Sequence, residues 1–478
     1  MPTDYNTAHT EALGDESFLA SREAGARQKA DDLRDIPLPG ARALWGEERR
    51  CGERFAKDSF LKILVAHNSY QHRGGEDAVC EAEIRLLRDA GHQVVEYLRH
   101  NDEIQEYSFI EKASLGWRTS WSGRSHRELG DILARESPDV AHFHNTFPLI
   151  SPSAYYACRA AGVPVVQTLH NYRLLCPGGN LFRDGRICED CVSDSLLSSV
   201  AHGCYRGSRL ATASVAGMLG VHRLAQTWSQ QVDLFLVCTE FARKKFVDAG
   251  FDETRMRVKP NFVTNDSGPR MHGGDCALFL GRLSEEKGPQ LLPIAWSKLS
   301  AAIHLEIVGD GPLRKSLEED CARLRLDTVH FTGWLEAQAA TEKMRRAKFL
   351  VVPSTCYEGF PMAVAEAYAC GVPVIAAGHG GLAEIVRDGR TGLHFRPGDA
   401  ADLAAKVEWA CTHPEEMETM GWTARVEYDT KYNAAAALKH LEDAYASVLC
   451  GRHLPVRTTE SSVPVEPRVL LERQKEED

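Results

Sequence analysis

From Leu61 onward the chain alternates short apolar, often β-branched runs with stretches of helical periodicity, the pattern of parallel strands covered by helices on both faces. Strands are expected at Lys62 to Ala66, Val94 to Leu98, Asp139 to Phe143, Pro164 to Leu169 and Leu234 to Cys238. A second series follows at Ala277 to Leu280, His304 to Val308, Val329 to Phe331, Phe349 to Val352 and Pro373 to Ala376. The helix expected from Asp77 to Ala90 stops at Gly91, the residue type that accepts the left-handed turn ending a helix. Periodicity breaks near Phe251 to Pro269, where Lys259-Pro260-Asn261 and Gly268-Pro269 mark a boundary. Ala434, Leu438, Leu441, Ala444 and Leu449 recur at helical spacing and predict a last helix. The pattern describes an α/β protein with two Rossmann-like, doubly wound parallel-sheet domains, residues 58–255 and 256–425, then a terminal helix over 426–450. The charged tails, 1–57 and 451–478, are expected to be disordered.

Composition narrows the function classes. Of 478 residues, 43% are hydrophobic and 26% charged, as in a globular protein, and the net charge of −11 argues against a broad nucleic-acid-binding face. No apolar run reaches the ~18 to 20 residues of a membrane helix; Leu210 to Val221 is bounded by Arg209 and by His222 and Arg223. The N-terminus carries Asp4, Glu11, Asp15 and Glu16 and does not read as a secretory signal, so a cytoplasmic location is expected. In that compartment the 14 cysteines are expected to be thiols or metal ligands.

Ligands of open α/β sheets bind beyond the carboxyl ends of the strands, and there the polar residues collect. Three first-domain strands run into His-Asn pairs: His67-Asn68, His144-Asn145 and His170-Asn171. Gly74-Gly75 lies after the first strand, just before a helix, where a bare backbone can approach a phosphate or sugar. In the second domain Gly281-Arg282-Leu283-Ser284-Glu285-Glu286-Lys287-Gly288 puts two cations at a strand exit, suited to phosphate oxygens. Gly309-Asp310-Gly311 follows another strand, a turn of the kind that admits a flat base edge. Glu358-Gly359-Phe360-Pro361-Met362 precedes a helix that Pro361 suits in its first turn, with Glu366 expected about two turns inside. A helix start there aims backbone N–H groups at an anion, flanked by two carboxylates that accept from sugar hydroxyls.

Phe279 to Gly288, Ile307 to Gly311, Phe331 to Gly333 and Val352 to Gly392, the last including Gly371-Val-Pro-Val-Ile, Gly380-Gly381 and Glu384, together resemble the retaining nucleotide-sugar glycosyltransferases of family 4 (glycosyltransferase group 1). The first domain matches more loosely, through Gly74-Gly75, His170 and Thr239-Glu240-Phe241. The resemblance implies the GT-B architecture, two Rossmann-like domains facing a central cleft, and sugar transfer with retention of anomeric configuration to a glycan, lipid-linked or small-molecule acceptor. It implies that Arg282 and Lys287 hold the donor diphosphate, Glu358 the sugar hydroxyls and Glu366 the ribose. Gly281 belongs to the donor loop, backbone from Gly359 through Phe360 and Pro361 to Met362 touches sugar and phosphate, and Gly309, Asp310 and Gly311 shape the base pocket. His170 reaches the sugar or acceptor, with Gly74 and Gly75 near the diphosphate. The family needs no catalytic metal, and uridine donors are its commonest. The chain departs from many relatives at Pro260-Asn261-Phe262, where they carry Pro-Asn-Gly. The alternatives are a GT-B nucleotide-sugar epimerase, a phosphorylase, which would need a longer chain, and a sugar-binding or zinc-organised module without catalysis.

The insert over 171–210 adds a second departure. Cys176, Cys188, Cys191 and Cys204 surround a hairpin expected to turn on Asp184-Gly185, and two readings stay open: a structural zinc held by four thiolates, or small apolar residues buried in a loop-rich segment. The segment carries Arg173, Arg183, Arg186, Arg206, Arg209 and Arg223 against Asp184, Glu189, Asp190 and Asp194, and leads into the apolar run Leu210 to Leu224. It is expected to shape the acceptor site, and either to touch an inner-membrane surface carrying a lipid-linked acceptor or to pack on its own domain.

Overall fold

The computed structural model describes residues 60–450 apart from 72–73, 194 and 271–272; the two tails expected to be disordered lie outside the described residues. Strands β1 (Lys62–Ser69), β2 (Gln93–His100), β3 (Val140–Phe143) and β4 (Val165–Leu169) are followed by the small β5 (Phe182–Arg183) and β6 (Arg186–Ile187), then β7 (Leu234–Val237) and β8 (Met256–Val258). The second domain holds β9 (Cys276–Leu280), β10 (Leu305–Val308), β11 (Val329–Gly333), β12 (Ala347–Val352), β13 (Val374–Ala377) and β14 (Gly392–Phe395). The sheets run β2-β1-β3-β4-β7-β8 and β11-β10-β9-β12-β13-β14, and every pairing within them is parallel. Each sheet reverses its winding at one point, between β1 and β3 and between β9 and β12, and the loops leaving those strand ends open into a crevice.

The near-continuous apolar composition of the strands follows from burial on both faces. In β1, Leu64 and Ala66 join one apolar layer while Ile63 and Val65 join the other, the two-residue alternation of an extended chain. The sequence reading misses the edge strands β8 and β14. The first is three residues long and includes Arg257, and the second opens on Gly392, so neither presents a hydrophobic run.

The first helix, Gly75–Asp89, starts two residues earlier than its periodicity indicates, because Gly74 donates its N–H to Asp77 Oδ2 at 2.8 Å and closes the helix start. It ends before Gly91, whose φ of +92° is open to glycine. The hairpin β5–β6 turns on Asp184 and Gly185, both at positive φ. Among the described residues no helix is long and apolar enough to cross a membrane.

The terminal helix, Ala434–Cys450, packs on the first domain. Leu441, Ala444, Tyr445 and Val448 fill the same cluster as Ile63, Val65, Ile84 and Leu234, and Tyr445 Oη sits 2.8 Å from His142 Nδ1 inside that core. The chain therefore crosses twice between domains, once through the segment after β8 and once after Pro414–Glu427. Leu441→Ala is expected to lower unfolding free energy by about 2 to 5 kcal/mol through lost burial and a residual cavity. Lys439→Ala, at a side chain 75% exposed, should leave it nearly unchanged, and chemical denaturation of both variants checks this.

Candidate functional site

The centre of the second-domain site is assembled by the switch point. β9 and β12 lie side by side, with Leu278 opposite Leu350, so the loop after β9 and the loop after β12 leave the sheet together. Gly288, at φ +69°, lets them touch: a Cβ there would stand 2.0 Å from the Pro353 carbonyl oxygen. Lys287 Nζ then meets both carboxylate oxygens of Glu358 at 2.8 Å, and Ser354 Oγ donates to Glu358 Oε1 at 2.6 Å. Burial works against the Lys287 charge, but the Glu358 carboxylate outweighs it and holds the ammonium pKa above its ordinary value. Two of the three ammonium protons are spent on Glu358, which leaves one for a further acceptor. Arg282, at the same strand exit, is exposed, and its guanidinium makes no hydrogen bond or ion pair to a described residue. Its five N–H donors are open to an anion.

Glu358, Gly359, Phe360 and Pro361 lead into the helix Met362–Ala369, whose first amides have no partner inside the helix. Glu366 sits one turn inside this helix, not the two expected, because Pro361 serves as the flanking residue and the helix begins at Met362. Its half-buried carboxyl has its pKa raised by burial and makes no hydrogen bond to a described residue. Phe360 is buried edge-on against Tyr432 at 5.4 Å between ring centroids and anchors the loop.

Gly309 and Gly311 have a role the motif reading did not anticipate. A Cβ at Gly309 would stand 1.9 Å from the Gly281 carbonyl oxygen, and one at Gly311 would stand 2.5 Å from that of Leu283. The turn therefore lies against the backbone of Gly281 to Leu283, fastened by Leu283 N–H to Asp310 O at 2.9 Å, while the Asp310 side chain accepts from Gly311 N–H at 2.7 Å. These glycines are set by backbone-to-backbone contact that holds Arg282 in position.

The facing domain closes on this loop. A Cβ at Gly359 would stand 2.4 Å from the His170 carbonyl oxygen, and one at Gly75 would stand 3.8 Å from Met362 Cγ. Glu384 accepts the N–H groups of Glu240 and Phe241 at 2.9 and 2.7 Å, capping the helix Glu240–Asp248 across the domain boundary. Phe262, standing where glycine was noted in relatives, is 2% exposed and packs into the inter-domain segment.

Of the three His-Asn pairs, His170-Asn171 and the more deeply buried His144-Asn145 border a recess beyond the strand ends, and His67-Asn68 does not. His67 Nε2 bonds Asp77 Oδ1 at 2.8 Å; Asn68 accepts from Leu149 N–H and donates to Asn101 Oδ1, and Asn145 accepts from Phe147 N–H and donates to Asn68 O. His144 lies behind His170, with Nδ1 2.9 Å from His170 Nε2. Its other nitrogen, Nε2, is 3.6 Å from Glu83 Oε2, and neither atom has another partner. Glu83 in turn carries the buried Lys259 ammonium. A carboxylate only accepts, so the field of Glu83 favours the proton of His144 on Nε2, and His144 Nδ1 then accepts from His170 Nε2–H. The remaining nitrogen of His170 is left unprotonated. Burial, then the Lys259 charge, pushes the His170 pKa well below its ordinary value and keeps it neutral.

Glu83, His142 and His144 are the described residues whose ligand atoms lie within 4.8 Å of one another. They do not suit a metal: Lys259 already balances Glu83, and both His142 nitrogens are taken, by Tyr445 Oη and Thr168 Oγ1 at 2.8 Å each.

Sequence reasoning passed over Glu76, which with His170, Asn171 and Arg173 lines a recess at the ends of β3 and β4. Asn171 Nδ2 donates to Glu76 Oε2 at 3.1 Å. Burial lifts the Glu76 carboxyl from 4.5 to about 7. Its place directly after Gly75 was the available signal.

Two facing Rossmann-like domains with cation-bearing loops at one switch point define the GT-B class. Residues 267–427 match the family described as Glycosyl transferases group 1, and residues 73–266 match Glycosyltransferase Family 4. An uncharacterized glycosyltransferase of Methanocaldococcus jannaschii is 33% identical over 379 residues, covering 78% of this chain and 94% of its own length. The sulfoquinovosyl transferase of Arabidopsis thaliana is 29% identical over 428 residues, covering 83% of this chain and 75% of that protein. In fold, Anabaena HepE in complex with UDP and glucose superposes with a TM-score of 0.58 at 18% identity, over 81% of this chain and 100% of the other. Sucrose-phosphate synthase from Thermosynechococcus elongatus gives 0.59 at 17% identity, over 82% and 100%. The chain belongs to the group 1, family 4 glycosyltransferases, and it is an enzyme of sugar transfer.

The raised Glu76 pKa carries a stability signature. The folded state keeps a proton that the unfolded chain releases near 4.5, so stability falls as pH rises from 4.5 toward about 7. Glu76→Gln lacks this loss; its melting temperature relative to wild type is expected to rise between about pH 5 and about pH 8, read by calorimetry at both.

Proposed function

We propose that this enzyme transfers a sugar from a nucleotide-sugar donor, most consistently a uridine diphosphate sugar, to a hydroxyl of a glycan, lipid-linked or small-molecule acceptor, with retention at the anomeric carbon. The observation that carries the reading is the Lys287–Glu358 pair beside the unpaired Arg282 and the start of the helix Met362–Ala369. In this reading Arg282 and Lys287 take the diphosphate, whose charge grows as the glycosidic bond breaks, and the helix amides add partial positive charge where a divalent ion would otherwise serve. Glu358 accepts from the sugar hydroxyls, Glu366 from the ribose, and neutral His170 offers an acceptor nitrogen to a hydroxyl of the sugar or acceptor. Gly281, Gly309, Asp310 and Gly311 shape the base side, and Gly74 and Gly75 bound the diphosphate opposite Met362. The recess with Glu76, Asn171 and Arg173 is the acceptor side.

Lys287→Ala and Arg282→Ala are each expected to lower kcat/KM about 10²- to 10³-fold, the scale of one lost preorganised donor to developing negative charge. Donors are found by thermal shift, since ligand at about 100 times Kd stabilises by ~2.7 kcal/mol. NMR of the product reads its anomeric configuration; an inverted linkage, or a sugar isomer released without acceptor, ends this reading in favour of an inverting enzyme or an epimerase.

The helices Arg209–Leu224 and Phe109–Ser120 pack together and support a peripheral membrane contact at the cytoplasmic face. The first buries Thr212, Val215, Met218 and Leu219 in its own domain, yet leaves Leu210 81% and Leu224 87% exposed; the second leaves Phe109 87% and Trp117 76% exposed. Lys112, Arg118, Arg209 and Arg223 lie on the same two helices. Co-flotation with anionic liposomes at low salt is expected, weakened when Phe109 and Leu210 are changed to Ser. Protein left wholly unbound overturns the contact.

A further inference from the structure

Sugar transfer leaves one cluster unused, the four cysteines of the insert. Cys176 is buried and closes a turn after Tyr172, its N–H donating to Tyr172 O at 2.9 Å and its carbonyl accepting from Gly179 N–H at 2.9 Å. Cys191 is buried in the short helix Asp190–Ser193. Cys188 leaves the hairpin, fixed by its N–H to Leu181 O at 2.8 Å, and Cys204 arrives from the helix Leu196–His202 through Gly203 at φ +65°. The Cys204 carbonyl stands 3.5 Å, and the Cys176 sulfur 3.6 Å, from the Cβ position of Gly178, and the Arg183 guanidinium feels both Cys188 and Cys204.

Tyr172, Leu175 and Leu181 anchor the start of the insert in the first-domain core, but the stretch from Phe182 to Ser193 has little else to hold it. Two-residue strands and a four-residue helix bury few side chains, and such segments need a staple. It also bears on the donor loops: Gly185 at the hairpin tip comes within 3.3 Å of Glu285 Oε1 at its Cβ position, and Glu189 accepts at 2.6 Å from Lys245, whose ammonium lies over the ring of Tyr357, next to Glu358.

We propose that Cys176, Cys188, Cys191 and Cys204 bind one zinc ion as a tetrathiolate, and that the ion holds the hairpin against the loops bearing Lys287 and Glu358. The site is structural, because four protein ligands leave no open position for substrate. Among the described residues no three of these sulfurs share the 4.8 Å mutual spacing found at Glu83, His142 and His144. Ligation at ~2.3 Å brings sulfurs to about 3.8 Å, so binding tightens the insert and releases the thiol protons. The second clause of the proposal, not the first, rests on the assignment of the donor loops.

The test is elemental analysis of the full chain purified without chelator or added metal. About one zinc per chain is expected, lost in Cys188→Ser and Cys191→Ser and kept in Cys411→Ser. Under about a tenth of an equivalent, iron in its place, or zinc retained in both ligand variants overturns the site. If the variants do not fold, cobalt substitution of the wild-type protein decides: sulfur-to-cobalt charge transfer with tetrahedral visible bands supports it, and their absence overturns it. Metal content is read without any transfer assay, so its failure and that of the proposed reaction are separable.

Discussion

Two loops separated by 71 positions meet because β9 and β12 are neighbours running the same way, and the ion pair between Lys287 and Glu358 is the result. A parallel sheet that winds outward in both directions from one point must leave a gap between the helices at that point, and the strand ends feeding the gap are fixed by topology. The glycines around it serve this closeness. Gly288, Gly309 and Gly311 each stand where a Cβ would strike a backbone carbonyl, so the loops stack on one another and the charged side chains project from a rigid base. Such a base lets Arg282 stay unpaired without its loop wandering, since Leu283 N–H and O are both tied to the neighbouring turn.

The opposite wall is built on a different economy of charge. Four histidines lie together near the ends of β1, β3 and β4; Lys259 from the inter-domain segment balances Glu83 beside His144, and Asp77 holds His67. A buried ion pair of this kind adds little net stability over an apolar pair, but losing either partner leaves an unpaired buried charge. Its consequence is directional. Glu83 orients His144, His144 orients His170, and His170 presents one defined nitrogen beside the backbone of Gly359.

Segments that cross the boundary hold the two walls in register. The terminal helix returns to the first domain and inserts the Tyr445 hydroxyl into the same histidine cluster, while Glu384 caps a first-domain helix from the second. The cysteine insert adds a third tie near the donor loops, where Gly185 at the hairpin tip approaches Glu285 and Lys245, held by Glu189, lies over the Tyr357 ring. The tie through Glu384 is polar, whereas the terminal helix is held mainly by the apolar cluster of Leu441, Ala444, Tyr445 and Val448.

The alternation of apolar runs and helical stretches determined the α/β class, ten of the strands and the order of the second-domain motifs, because a strand buried on both faces has to be written in consecutive apolar residues. The edge strands β8 and β14 lack that signature and were decided by pairing alone. The positions of Arg282, Lys287 and Glu358 on loops at strand exits, and of Glu366 in the helix that follows, could be read from the chain because glycine and proline punctuate those exits. Tertiary structure decided what separates one histidine from another: His67 and His144 look like His170 in the chain, and only packing turns the first two inward against Asp77 and Glu83. Glu76 acquires its raised pKa, and Glu83 its partner at position 259, only when distant segments exclude water from them. Local sequence fixes what a side chain can do, whereas dielectric surroundings and partners exist only once the chain has closed around it.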